Sequence, residues 1–244
     1  MQDNLNSKYK SIVDFLQMSS EIYFNETGIK VKIEIVNDFS FNARVSKIEE
    51  KVYKIEIRHG CLCLENLIEN ITNRYTEDDL KSFWRFRKLN IFEKNAGDTY
   101  REELNQLFGS IILLHIFFHE CGHITAKYID KENGTYAEMQ PSDNGGYEKQ
   151  EQEMVADWLS TKFLYKSMFF ATIGTDKIDF EELLSILEQL TILYWLSLTI
   201  EFQIFDSVHT GDVPDYSLLT HPHPAVRLYY SLDAMQECIL DIFN

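Results

Sequence analysis

The chain has 244 residues, 45% of them hydrophobic, and its 39 acidic side chains outnumber 23 basic ones for a net charge of −16. The length suits one large domain or a core with a small appendage. The acidic balance makes nucleic acid and anionic membrane surfaces poor partners and would favour encounter with a basic protein.

Residues 1–10 are polar and contain no apolar core of a signal peptide. Residues 5–26 then read as an amphipathic helix, with Ile12, Val13, Leu16, Ile22 and Tyr23 recurring on one face and Gly28 ending it. Val31, Ile33 and Ile35 alternate with Lys32 and Glu34, and Tyr53, Ile55 and Ile57 alternate with Val52, Lys54 and Glu56. These are two strand signatures, expected as antiparallel neighbours. Helices are predicted over 62–72 and 77–94; Phe83, Trp84, Phe86, Leu89 and Phe92 give the second an aromatic face suited to core packing. Residues 130–149 are loop-like, with Asn133-Gly134, Pro141 and Asp143-Asn144-Gly145-Gly146. Two long helices follow at 178–206 and 225–242.

No repeat, low-complexity tract or linker divides the chain. It reads as one α+β domain over 1–244, mostly helical, with a helix and small antiparallel sheet in 1–100 and a helical subdomain in 101–244. The longest apolar runs, 111–118 and 192–200, fall short of a membrane span and read as core helices. Cys61, Cys63, Cys121 and Cys238 form no disulfide framework; Cys61 and Cys63 are too close for an ordinary bridge. A reducing cytoplasm fits that usage.

His119-Glu120-Cys121-Gly122-His123 carries the chemistry. Leu104, Leu107, Phe108, Ile111, Ile112 and Leu114 lead into it at helical spacing, so His119 and His123 share a face and can reach one metal ion. Glu120 is the carboxylate that could act on a water at that ion. The alternative is a buried helix that happens to hold two histidines. His115, one turn earlier on the same face, reads as a core histidine or a support for the site.

A catalytic zinc needs a third protein ligand. Thirty residues on comes Glu153-Met154-Val155-Ala156-Asp157, in a helical run over 150–166. Glu153 and Asp157 share a face. Glu153 suits a ligand, and Asp157 suits the acceptor that fixes an imidazole tautomer. Ala156 suits close approach of two helices. An acidic solvated face, with Glu148, Glu151 and Glu153, is the other reading.

H-E-x-x-H followed by E-x-x-A-D resembles the gluzincin metallopeptidases. That resemblance implies a zincin-like fold, one zinc per chain held by His119, His123 and Glu153, and Glu120 as the base. Thr220-His221-Pro222-His223-Pro224-Ala225-Val226-Arg227 resembles the T-H-P-x-x-x-x-R segment of the HtpX-like and CAAX-prenyl-protease families, and of the soluble Lit-type phage-exclusion peptidases. It implies that His221 and Arg227 approach the site from the C-terminal side, where a His can donate to an oxyanion and an Arg can hold a carboxylate. The alternative is a Pro-bounded loop before the last helix. His223 falls at a variable place in the motif. The likeness covers at most residues 105–232.

The expectation is a zinc endopeptidase acting on a protein or peptide substrate, without nucleic acid and without a membrane span. The Lit-type likeness implies a narrow target such as a translation factor. An ImmA/IrrE-like regulatory peptidase cleaving a repressor is the second enzyme reading, and a non-catalytic zinc-binding interaction module is the third. Glu120 speaks against the module, because a closed structural site has no use for a base. Nothing in the sequence sets the oligomeric state.

Overall fold

The computed structural model describes residues 10–74, 100–127, 135–137, 147–173, 179–208 and 222–243. The elements are α1 (Lys10–Thr27), β1 (Lys30–Val36), β2 (Ala43–Glu49), β3 (Val52–Arg58), a 3-10 turn (His59–Leu62), α2 (Glu65–Thr72), α3 (Tyr100–Thr125), β4 (Thr135–Ala137), α4 (Tyr147–Ile173), α5 (Phe180–Val208) and α6 (Pro224–Phe243). Helix dominates, and the strands form one mixed sheet, an α+β arrangement. The helix predicted at 77–94, Thr220, His221 and most of the segment 130–149 lie outside the described residues.

The sheet order is β1-β3-β2-β4. Its register corrects one expectation. β1 and β3 are neighbours but run parallel, with Val31 opposite Tyr53 and Ile35 opposite Ile57. The strand between them in sequence, β2, returns antiparallel to β3, so β3 ends up running with β1. β2 escaped notice because only Ala43 and Val45 are apolar and buried, while Lys47 and Glu49 break the alternation. Lys51, at φ 57°, supplies the left-handed residue of the β2–β3 turn. The three-residue β4 lies within the segment expected to be loop and pairs with β2; it is too short to show a period. β1 and β4 are therefore the edges, and β3 is interior.

α3 is the central element. Residues 111–124 are all buried, so the helix is covered on every side. The sheet and α1, α2, α4 and α5 all pack on it. Gly28, at φ 71°, ends α1 by returning its N–H to the Phe24 carbonyl at 2.8 Å. Tyr23 then points from α1 to the end of α3, where its hydroxyl meets the Cys121 carbonyl at 3.1 Å and Thr125 Oγ1 at 2.8 Å. Thr72 ties α2 to Asn105 at 2.9 Å. α4 is held to α5 by Tyr194 on Thr161 and to α6 by Lys162–Glu237.

By length and composition, Leu104–Thr125 and Phe180–Phe205 could each cross a bilayer. Counting unbroken apolar runs missed both, because His115, Glu120 and Glu201 interrupt them. The first is the core helix, 83% buried.

α3 and α4 approach closely at Gly122. A Cβ built on Gly122 would lie 2.8 Å from the Ala156 carbonyl oxygen and 2.9 Å from its Cα. Both are backbone atoms, so only separation of the helices could make room. Gly122→Ala should therefore lower unfolding stability by about 1–3 kcal/mol, the usual cost of overpacking, read as a lower urea midpoint at an unchanged slope. A wild-type midpoint would show that the contact yields freely.

Candidate metal centre

α3 presents His119 and His123 one turn apart, with their Nε2 atoms 3.1 Å from each other. α4 brings Glu153 to the same point: Oε2 lies 3.2 Å from His119 Nε2, and Oε1 lies 3.4 Å from His123 Nε2. Each residue offers one donor atom within 4.8 Å of the others, and all three residues are buried. Two imidazole nitrogens and a carboxylate oxygen this close need a shared proton or a metal ion among them. The donor set fits a first-row divalent ion, so the cluster could hold a metal.

Behind the donors runs a buried chain of charge. His119 Nδ1 lies 2.8 Å from Asp157 Oδ1. Asp157 accepts the ring N–H there, which leaves Nε2 for a metal. Arg227, from the first turns of α6, donates to both oxygens of the same carboxylate: Nε to Oδ2 and Nη2 to Oδ1, each at 2.7 Å. The guanidinium lies 5.0 Å from the centre of the Phe202 ring and 5.3 Å from that of Phe205. Burial pushes the Asp157 carboxyl up, but Arg227 and then His119 outweigh it and hold it well below the usual carboxylate range. Burial likewise disfavours a charged His119, and Asp157 and Glu153 overcome it, holding the imidazole well above its ordinary range. A metal at Nε2 would answer the same negative field.

The structure thus brings together four of the residues singled out by sequence: His119 and His123 on α3, and Glu153 and Asp157 on α4. Glu120 is fully buried on the metal helix. Arg227 does hold a carboxylate, but that carboxylate is Asp157. Arg227 is itself buried, at 3% exposure. His221 lies outside the described residues. His223 is exposed and opens α6, its ring nitrogen accepting the Ala225 amide at 3.1 Å and its carbonyl the amides of Val226 and Arg227. His115 is a core histidine, paired with Glu201 of α5.

Sequence reasoning missed Glu201, Gly122 and Tyr23. The available signals were a lone acid within an apolar helical stretch and a glycine inside the motif itself. Tyr23 gave no signal beyond its place on the buried face of α1. Comparison with protein-family models, with curated proteins and with solved structures returns no match for this chain.

Two outcomes are expected. Glu153→Ala should cost most of the affinity for Zn²⁺, since two ligands hold an ion far less well than three; equilibrium titration against a competing chelator would measure it, and full occupancy at nanomolar free zinc would remove Glu153 from the ligand set. Arg227→Met leaves Asp157 buried without its main counter-charge and should cost about 3–5 kcal/mol of stability. The contribution of Asp157 is full above the unfolded carboxyl value near 4 and is lost as pH falls from there towards the lower folded value. The wild type should weaken steeply below pH ~4 and Arg227→Met less so, which denaturation at pH 7 and pH 3 would compare; equal acid slopes would speak against the clamp.

Proposed function

We propose that the chain is a zinc-dependent endopeptidase of the gluzincin type that hydrolyses a peptide bond in a protein substrate. One observation carries this reading: two imidazole Nε2 atoms and a carboxylate converge in a buried site on the helix that also bears Glu120. A metal ion held by His119, His123 and Glu153 would supply Lewis acidity for attack of water on the scissile carbonyl. Glu120 takes the proton of that water on its carboxylate and delivers it to the leaving amine nitrogen. Asp157 keeps the proton of His119 on Nδ1, and Arg227 keeps Asp157 ionised and in place. His221 would donate to the oxyanion, a role that rests on the T-H-P segment alone. An extended substrate would add at a sheet edge, β1 or β4. Phage exclusion, with a translation factor as the target, is the narrower reading drawn from the likeness to Lit-type peptidases.

A second reading has its own support. His119, Glu120, His123 and Glu153 are all at most 2% exposed, which also suits a sealed structural metal site in an interaction module. X-ray absorption of the zinc-loaded protein separates the two, because a water as fourth ligand belongs to an enzyme and a fourth protein donor to a module.

Glu120→Gln should keep both metal and fold while hydrolysis falls by about 10²–10⁴-fold, the usual effect of removing a general base. The comparison is of new protein N-termini in cells expressing wild type or the variant. Cleavage at wild-type rate by Glu120→Gln would assign the base elsewhere.

A further inference from the structure

His115 lies one helical turn before His119 and is fully buried, as is its partner Glu201, at 0% and 1% exposure. The ring Nδ1 is 3.0 Å from Glu201 Oε1 and 2.9 Å from Oε2. Ser160 of α4 adds a hydrogen bond of 2.8 Å to the His115 carbonyl, the backbone group that lies four residues before the His119 amide in the helical ladder. The next residue of α5 faces the other support of His119. Phe202 lies 5.0 Å beneath the Arg227 guanidinium, and its ring meets the His115 ring edge-on at 6.2 Å. One step of α5 thus touches both things that orient His119: the helix that carries it, through His115, and the Arg227–Asp157 clamp on its ring, through Phe202.

Stability alone does not account for a buried carboxylate here. An apolar pair of similar volume commonly does as well as or better than a buried polar or ionic pair. We propose that Glu201 and Phe202 are positioning residues of the metal centre, with the buried His115–Glu201 contact setting the rotation of α3 and Phe202 setting the seat of Arg227, so that His119 Nε2 meets the other two donors. The inference rests on the metal reading of His119, His123 and Glu153.

Co²⁺ serves as the probe, because its visible absorption reports the geometry of the donor set independently of activity. His115→Leu/Glu201→Leu and Phe202→Leu would be compared with the wild type by melting temperature, Co²⁺ affinity and absorption bands. The double variant should melt at or above the wild-type temperature, yet bind Co²⁺ about 10-fold more weakly, the low end of what outer supports of a ligand contribute, with displaced bands. Phe202→Leu, which keeps an apolar side chain in place, should weaken Co²⁺ in the same direction and decides the matter if the double variant does not fold. Wild-type affinity and bands in a folded variant would overturn the positioning role and leave the pair as helix packing. A wild-type protein that takes up no Co²⁺ would remove the metal site itself, and the positioning role with it.

Discussion

The candidate metal centre depends on one buried carboxylate. Asp157 sits at the junction of three helices: it belongs to α4, accepts from His119 of α3, and receives both arms of Arg227 from α6. A charge there would be untenable alone, because removing a carboxylate from water costs several kcal/mol. Bidentate pairing and the imidazole N–H together offset that cost. The arrangement also has direction. Positive charge from Arg227 keeps Asp157 ionised, the ionised Asp157 holds the His119 proton on Nδ1, and that tautomer leaves the lone pair on Nε2, the nitrogen facing Glu153 and His123.

That chain works only because α3 and α4 run unusually close. Gly122, inside the metal motif, meets the backbone of Ala156 in the middle of the second motif. Both motifs therefore supply donor atoms and also the smallness that brings those donors together. A side chain at Gly122 would press on the Ala156 backbone and move Glu153 away from the imidazoles before it touched any chemistry.

The centre was more legible than the scaffold. Spacing by four on a helix is a strict geometric rule, so His119 and His123, and Glu153 and Asp157, could be placed on shared faces from sequence. Arg227 could be marked but not aimed: helical periodicity shows that it lies in the first turns of α6, whereas only the fold shows that its partner is an aspartate 70 residues earlier. The sheet was harder. β1 and β3 show clear alternation, yet pairing direction depends on β2, whose outer half is charged, and on β4, which is shorter than any period. Glu201 was invisible for a related reason. A single acid in an apolar helix reads as a solvent-facing residue until its partner is known, and His115 lies 86 residues away.

β4 also has a bearing on how the chain is made. The strand that completes the sheet comes from the connection between the two ligand helices, and it pairs with β2 from the first fifty residues. A nascent chain that has emerged only as far as α2 holds β1, β2 and β3 with the outer flank of β2 still unpaired. That flank stays open until the ribosome has delivered α3 and the segment after it. Synthesis order thus exposes an open strand during the interval in which the apolar core helix α3 is also emerging, so early docking of α3 against β2 and β3 would protect both surfaces at once.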